Sequence, residues 1–250
     1  MDIKPHLSKY WLTSGQDPDK EEKIEAICDF YKKVKELNQQ GERTLSTDEM
    51  TGVQALERSH PGLPMLPGKI ERREFEYIRH GTLCFTVNFD IFSGFIVSPT
   101  CGLHRKEEDF VMHIKNTVET DKEAKKWHIV LDNLNTHISE GLVRYVAALS
   151  HVTDDLGVKG SSGILKNKSS RAEFLSDPSH KIVFHYTPKH CSWLNQVEIW
   201  FSILVRKVLR RGNFSSLEDL REKVLSFIDY FNETMAKPFK WTYQGKPMAI

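Results

Sequence analysis

The sequence has few cysteines, and their positions exclude two kinds of cysteine-dependent protein. Only four occur in 250 residues, and no two of them form a Cys-x-x-Cys pair. A disulfide-stapled secreted domain would need a denser set, and a thiolate zinc site would need closer spacing. The four thiols, Cys28, Cys84, Cys101 and Cys191, therefore indicate a reduced, cytosolic protein.

Long apolar runs and a strong net charge are also missing. No segment approaches the roughly 20 apolar residues of a membrane-spanning helix, so no membrane partner is expected. The first residues, MDIKPHLSKYWL, lack the apolar core of a signal peptide. The formal net charge is +1, so bulk charge does not indicate a nucleic-acid-binding protein.

What the sequence does contain is an alternation of helix and strand patterns. Strands are predicted by short β-rich or apolar runs, the first of them weak, over 44–49, 82–89, 94–100, 127–132 and 181–188. Helices are predicted by apolar residues at helical spacing over 17–37, 105–119, 139–150, 193–209 and from a capping box at 215–218 onward. Asp17 is the expected N-cap of the first helix and Pro18 its first residue. This order indicates an α/β domain with a mixed sheet.

Two segments fit neither pattern. Residues 52–74 are rich in Pro and Gly and predict an irregular loop. Residues 151–180 contain the stretch KGSSGILKNKSSR, which we interpret as an exposed insertion. This stretch does not match the phosphate-binding pattern GxxxxGK[ST], which disfavours a nucleotide loop.

Three acidic residues at the ends of predicted elements are candidate functional groups. Asp132 follows a buried strand, where open α/β sheets place their ligand crevices. Asp48 ends the first predicted strand, and the adjacent Glu49 would point to the opposite face. Asp90 competes as a candidate but fits a hairpin turn. Starting a turn or capping the next helix remains an open alternative for Asp132.

The third candidate, Glu198, interrupts the apolar stretch HCSWLNQVEIWFSIL. On a helical wheel of residues 193–209, one apolar arc includes Trp193, Val197 and Val205. Glu198 falls at the rim of that arc, with Asn195 beyond it. An ordinary boundary glutamate is the alternative interpretation.

Metal chemistry would explain the three acids if they meet. Clustered carboxylates repel one another unless a cation lies among them. Oxygen ligands suit Mg²⁺ or Mn²⁺ better than zinc. Two such ions can activate a water or a 3′-OH and stabilise the leaving oxygen in phosphodiester cleavage.

The motifs TDEMTGVQALERSHPG, LDNLNTH and TPKHCSWLNQVEIWF, in this order, resemble the DDE triad of transposases with an RNase H-like fold. The sequence is most similar to the insertion-sequence branch of the mariner-like superfamily. YIRHGT, NQVEIWFSILVRKVLRRGNFSS and YFNETMAKPFKWTY also resemble that family. The resemblance runs from about residue 40 to the end.

The resemblance implies a fold, a reaction and a set of residues. The fold would be an RNase H-like mixed five-stranded sheet flanked by helices. The reaction would be cleavage of transposon-end DNA and joining of the 3′-OH to target DNA with two Mg²⁺ or Mn²⁺ ions, in a homodimer. Asp48, Asp132 and Glu198 would be the catalytic metal ligands. Supporting or DNA-positioning roles would fall to Asn133, His137, His190 and Asn195.

The sequence departs from the family pattern in two places. The interval between the second and third acids, 198 − 132 = 66 residues, is long for mariner-like proteins, and the surplus is the 151–180 insertion. Family members usually carry N-terminal helix-turn-helix domains, which this chain has no room for. We therefore expect a helical linker at 1–40, a catalytic domain at 41–235 and a tail at 236–250.

A basic cluster in the C-terminal part is the candidate DNA contact. From Ile203 onward, nine Lys and Arg face five Asp and Glu, a net charge of +4. The densest group is Arg206, Lys207, Arg210 and Arg211. A solvated helix face is the simpler interpretation of such a run.

Two other functions stay open at this point. A related nuclease without strand transfer would explain the missing helix-turn-helix. A non-catalytic DNA-binding remnant would explain the truncation and the basic C-terminal part. A two-carboxylate glycosidase is a distant fourth hypothesis, because there are three acids and nothing suggests a sugar cleft.

Overall fold

The computed structural model describes residues 19–243. Five strands form one mixed sheet: β1 Glu42–Arg58, β2 Tyr77–Asp90, β3 Ile96–Gly102, β4 Lys126–Leu131 and β5 Ile182–Tyr186. Within the described residues, six α-helices surround it: α1 Lys20–Gln39, α2 Glu107–Glu119, α3 Glu140–Leu149, α4 Lys168–Leu175, α5 Val197–Leu204 and α6 Leu217–Thr234. The predicted α/β order and the five-stranded mixed sheet are confirmed.

The sheet combines a hairpin region with parallel crossovers. Its strand order is β3-β2-β1-β4-β5. β2 pairs antiparallel with both β1 and β3, whereas β4 pairs parallel with both β1 and β5. The turn between β2 and β3 is closed by Asp90, whose Oδ1 accepts from the N–H groups of Phe92 and Ser93. Asp90 therefore has the turn role expected of it.

The core has two parts. α1, α5 and α6 pack with β2 around Phe85, Trp200 and Phe231. α2, α3 and α4 pack with β4 and β5 around Trp127, Ile129 and Phe184. Apolar residues at helical spacing on each helix, and the continuously apolar β4, explain why these elements bury these faces.

The first strand is longer than the sequence predicts. β1 continues through Gly52 to Arg58, so the start of the predicted 52–74 loop is strand, with register shifts after Met50 and Gln54. Irregular backbone follows as predicted, and it exposes Leu63, Met65, Ile70 and Phe75.

The prediction of a continuous helix over 193–209 is wrong. Ser192–Leu194 is a 3₁₀ turn, Asn195 is extended, and α5 begins at Val197. The chain then winds as a π-helix over Val205–Leu209, a type of irregularity often found at functional sites. Because of these breaks, two residues of the predicted buried arc, Trp193 and Val205, are 46% and 39% exposed.

The 151–180 segment is only partly an exposed insertion. It contains a 3₁₀ turn at Ile164–Lys166 and the helix α4. Leu165 and Leu175 are fully buried in the second core part. The segment therefore belongs to the folded domain.

The helix ends differ slightly from prediction. The predicted caps of α1, Asp17 and Pro18, lie outside the described residues. In α6 the N-cap is Ser216, whose side chain accepts from the Asp219 N–H, one residue later than the predicted capping box. Within residues 19–243, none of the helices combines the length and apolar character that a membrane crossing requires.

Candidate active site

Asp48 lies on β1, and Asp132 directly follows its parallel neighbour β4. In the β1–β4 ladder Ser46 is opposite Val130, so two residues further along Asp48 is beside Asp132, directly after β4. Parallel neighbours are about 4.8 Å apart and point to the same face. The site therefore forms at the carboxyl end of β4, where open α/β sheets place ligands.

Asp132 is held by a buried histidine. Its Oδ1 lies 2.8 Å from His137 Nδ1 and also accepts from the Leu134 N–H at 2.9 Å. His137 Nε2 lies 3.0 Å from Glu49 Oε2, and its ring packs against Phe110 with centroids 4.3 Å apart. One imidazole thus connects two carboxylates.

The charges in this group support one another. Burial alone would lower the pKa of His137, but its hydrogen bonds to Asp132 and Glu49 and their charges raise that pKa to about 9. Burial opposes ionisation of Asp132, yet the hydrogen bond and positive charge of His137 hold the pKa of Asp132 below its usual value. Asp132 is therefore ionised at neutral pH.

Asp48 has a different environment. Its carboxylate accepts from the Glu49 N–H at 2.8 Å and from Asn195 Nδ2 at 3.3 Å. Burial raises the pKa of Asp48 to about 7, and the negative charges of Asp132 and Glu49 add to the shift. Ionising Asp48 therefore costs free energy unless a cation lies close to its carboxylate.

Glu198 lies in the first turn of α5 and is partly exposed. Burial and the negative charge of Asp132 raise the pKa of Glu198. The negative charge of Asp132 thus acts on both other acids, which raises the pKa of each of them.

A buried serine and asparagine join α5 to β1. The Ser46 hydroxyl donates to Asn195 Oδ1 and accepts from the Val197 N–H at 2.8 Å. Asn195 Nδ2 also donates to the Thr47 carbonyl at 2.9 Å. These bonds fix the start of α5, and therefore Glu198, relative to Asp48.

The remaining predicted supporting residues lie around the loop after β4. Asn133 Nδ2 donates to the Thr187 carbonyl at 2.6 Å, which connects the ends of β4 and β5. His190 is exposed and has a positive φ of 60° in the turn before α5. Neither side chain has a described contact with the three acids.

The predicted DNA-contacting cluster lies at the far end of the α5 segment. Arg206 and Lys207 are exposed on the π-helix, and Arg210 and Arg211 are exposed just after it. Arg206 Nε donates to the Ser202 carbonyl at 3.1 Å.

The donor chemistry of the three acids fits a divalent cation, although the group is open. Carboxylate oxygens are the ligands that Mg²⁺ and Mn²⁺ prefer, and the raised pKa of Asp48 marks a carboxylate that a cation would stabilise. Among residues 19–243, no group of three or more His, Cys, Asp or Glu side chains is placed so that it could hold a metal ion.

Sequence reasoning missed two contributors to the site. Glu49 was set aside because it alternates with Asp48 along β1, yet its buried carboxylate supports His137. Ser46 carried no sequence signal beyond its place two residues before Asp48. Side chains do alternate along β1, but this pattern could not show that the buried His137 contacts the face on which Glu49 lies.

The chain is similar to known transposase structures in fold. It matches the Mos1 strand transfer complex with a TM-score of 0.51 and 11% identity, covering 93% of this chain and 59% of that one. It matches the Mos1 mariner paired end complex with Mn with a TM-score of 0.53 and 10% identity, covering 94% and 60%. The chain thus spans about 60% of the Mos1 chains it matches.

The sequence comparison gives the family. No curated protein shows significant sequence similarity to the chain. Residues 43–221, well over half of the chain, match the family described as DDE superfamily endonuclease. That match contains Asp48, Asp132 and Glu198, and the RNase H-like fold agrees with it. The chain belongs to the DDE superfamily endonucleases.

Proposed function

We propose that this chain is the catalytic part of an insertion-sequence transposase of the mariner-like branch. It would cleave DNA phosphodiesters at the ends of a mobile element and join the freed 3′-OH to target DNA. The observation that carries the proposal is the position of Asp48 on β1 and of Asp132 directly after its parallel neighbour β4, with the negative charge of Asp132 raising the pKa of both Asp48 and Glu198. The family match and the Mos1-like fold support it.

Asp48, Asp132 and Glu198 would hold Mg²⁺ or Mn²⁺, and we expect two ions. Bound there, the ions would supply Lewis-acid activation of the attacking oxygen and stabilisation of the leaving oxygen. The oxygen-only donor set and the costly negative charge of buried Asp48 support this assignment.

The protein's own contribution is to charge and position these carboxylates. His137, as a cation between Asp132 and Glu49, keeps Asp132 ionised and fixes its direction. Asn195 directs Asp48, and Ser46 fixes the helix that carries Glu198. Asn133 and His190 would position DNA at the rim.

A nicking assay on element-end DNA tests the catalytic assignment. With Mg²⁺ or Mn²⁺, the parent chain should nick, whereas Glu198→Gln should lose at least about a hundredfold in rate, since removing a metal ligand removes several kcal/mol of transition-state stabilisation. Glu222→Gln, the same change at an exposed position of α6, is the matched control. If both variants nick like the parent, the assignment of Glu198 is wrong.

Strand transfer is tested separately with pre-cut ends and a target plasmid. Joined products identify a transposase. Nicking without joining would instead identify a nuclease of the same fold. A chain that neither nicks nor joins, but still binds DNA, would be an inactive remnant.

We also propose that Arg206, Lys207, Arg210 and Arg211 contact DNA phosphates. Their exposure along one segment that follows Glu198 supports this role. Replacing all four with Ala should reduce the slope of log K against log salt by about 0.9 per lost contact on duplex DNA. An unchanged slope would identify the cluster as a solvated face.

We further propose that the active form is a homodimer. The irregular segment between β1 and β2 exposes Leu63, Met65, Ile70 and Phe75, and exposed apolar groups of this kind mark protein contacts. Light scattering after size exclusion should give twice the chain mass for the parent and the chain mass for Ile70→Ser/Phe75→Ser. A monomeric parent would contradict the proposal.

The domain limits stay a proposal as well. The family match over 43–221 supports a catalytic unit at 41–235. We propose that residues 1–40 connect it to a DNA-binding region and that 236–250 form a tail.

A further inference from the structure

An open cleft lies between α1 and α4, beside the proposed catalytic acids. Its volume is about 1270 Å³, larger than the roughly 300–1,000 Å³ typical of small-ligand pockets. The floor includes Tyr186 at the end of β5, and the rim includes Asn133, the residue after Asp132. Its size and position suit a polymer that extends beyond the acids.

The cleft is basic, although the chain as a whole is nearly neutral. Lys20 and Lys23 line it from α1, Lys168 from α4, and Lys189 from the turn after β5, whereas Glu173 is its single acidic lining residue among those described. Lys23 also forms an ion pair with Asp19 at 3.8 Å. Lysines from α1, from α4 and from the turn after β5, together with the aromatic lining residue Tyr186, are the kind of groups that bind single-stranded nucleic acid.

Lys168 connects this cleft to the active-site loop. Its Nζ donates to the Asn133 carbonyl at 2.6 Å and to Asn135 Oδ1 at 3.0 Å, and its positive charge helps to hold the pKa of Asp132 low. Arg171, one turn later, donates to the Ile138 carbonyl at 2.8 Å. The inserted segment thus forms one wall of the cleft and anchors the loop that carries Asp132.

We propose that the cleft between α1 and α4 binds a single strand of DNA and leads it to the carboxyl end of β4. This inference rests on the proposed function, because it names the path of the strand whose phosphodiester the acids would cleave. The inserted segment is then a DNA-binding wall specific to this chain's long interval between Asp132 and Glu198.

Binding can be measured separately from cleavage. Fluorescence anisotropy with a labelled 20-nucleotide single strand, and with the corresponding duplex, is performed in EDTA. Lys20→Glu/Lys189→Glu should weaken single-strand binding about tenfold or more. The slope of log K against log salt should decrease by about 1.4, which corresponds to two phosphate contacts. The matched control, Lys122→Glu/Lys125→Glu, makes the same charge change at the opposite end of β4 and should bind like the parent.

Each outcome of these measurements supports or overturns the assignment of the cleft. Equal losses in both double variants, or none in either, would overturn the cleft assignment. A larger loss for the duplex than for the single strand would overturn the choice of ligand. Lys20→Gln/Lys189→Gln removes the same two contacts without reversing the charge, so it should also reduce the slope by about 1.4, and it serves as the test if Lys20→Glu/Lys189→Glu does not fold. Normal binding by the cleft variants, with nicking abolished in Asp132→Asn, would remove this proposal alone. Full nicking by Asp132→Asn would instead remove the proposed function.

Discussion

Asp48 and Asp132 are neighbours in the sheet, but their surroundings drive their charges in opposite directions. Burial, with only neutral hydrogen-bond donors in contact, raises the pKa of Asp48 to about 7. The pKa of Asp132 is lowered, against the effect of burial, because the His137 imidazole donates to its carboxylate. The difference shows that contacts within the protein keep Asp132 ionised at neutral pH, whereas Asp48 needs a bound cation to stabilise its ionised form.

The two sides of the site therefore have different roles. The Asp132 side, formed by Glu49, His137 and Asp132, is an ionic group whose Glu49 and His137 side chains are buried and whose Asp132 side chain is 42% exposed. The Asp48 side, formed by Ser46, Asn195 and Asp48, is a hydrogen-bond network in which the partners of the Asp48 carboxylate are neutral, so its negative charge has no cationic partner in that network. Changes on the two sides should therefore affect stability and activity in different proportions.

The largest expected effect is on the Asp132 side. His137→Ala should lower the free energy of unfolding by about 3–5 kcal/mol, because Glu49 would stay buried without its cationic partner. Urea denaturation at pH 7 measures the loss. His113→Ala is the matched control, since His113 is equally buried but bonds to the Thr100 hydroxyl and not to a carboxylate. Equal losses in the two variants would show that packing, and not charge, holds Asp132.

A smaller effect is expected on the Asp48 side. Asn195→Ala removes the acceptor of the buried Ser46 hydroxyl and the side-chain donor to the Thr47 carbonyl, so the free energy of unfolding should fall by about 1–3 kcal/mol. Nicking should fall about 10–100-fold, as is usual when the partner of a metal ligand is lost. Asn213→Ala, which removes the acceptor of the Arg58 N–H far from the acids, should keep its nicking rate. Full nicking by Asn195→Ala would show that Asp48 does not depend on it.

The pH dependence of stability sharpens the comparison. Burial lowers the pKa of His113 to about 3, so the unfolded chain, with a His pKa of about 6.5, binds the proton better. The contribution of His113 to stability should therefore decrease as the pH falls below about 6.5, by up to about 1.4 kcal/mol per pH unit, whereas Asp48, with its pKa raised to about 7, acts in the opposite direction over the same range. His137, with a pKa raised to about 9, contributes stability that is present below about 6.5 and is lost as the pH rises through 9.

Urea denaturation between pH 4.5 and 9.5 separates these two histidines. His113→Gln should flatten part of the acidic limb, because burial also lowers the pKa of His185 to about 3, and His137→Gln should flatten only the alkaline limb. If both variants change the same limb, Asp132 and Glu49 do not raise the pKa of His137.

Much of the fold follows from local pattern. The β2–β3 hairpin, the buried β4 and the helix faces of α2 and α6 were predicted because alternation and helical spacing act over a few residues. The RNase H-like sheet followed from the order of these elements and from the resemblance. Asp132 was recognisable because a carboxylate directly after a buried strand has a defined place in such sheets.

The rest depends on contacts between distant residues. The helix predicted through Asn195 is broken because Asn195 and the Val197 N–H bond to Ser46, about 150 positions earlier, and these contacts outweigh helical periodicity. Glu49 and His137 are 88 positions apart, so neither one's sequence neighbourhood indicates the other. The Gly/Ser/Lys composition of 151–180 indicated exposure, but two leucines in it are buried.

The smallest expected effect concerns Lys168, which supports the Asp132 side from the inserted segment. Lys168→Ala should change the free energy of unfolding by no more than about 0.5 kcal/mol, because the side chain is exposed. Nicking should fall by less than about tenfold, since an exposed charge contributes about 1 kcal/mol or less to the group it faces. Lys168→Arg should recover part of the rate, because it keeps the charge but not the geometry of the bonds to Asn133 and Asn135. Lys166→Ala, an exposed lysine of the same segment, is the control. An equal loss in Lys166→Ala would mean that the segment acts through its overall charge, and the specific link between Lys168 and the Asp132 loop would be wrong.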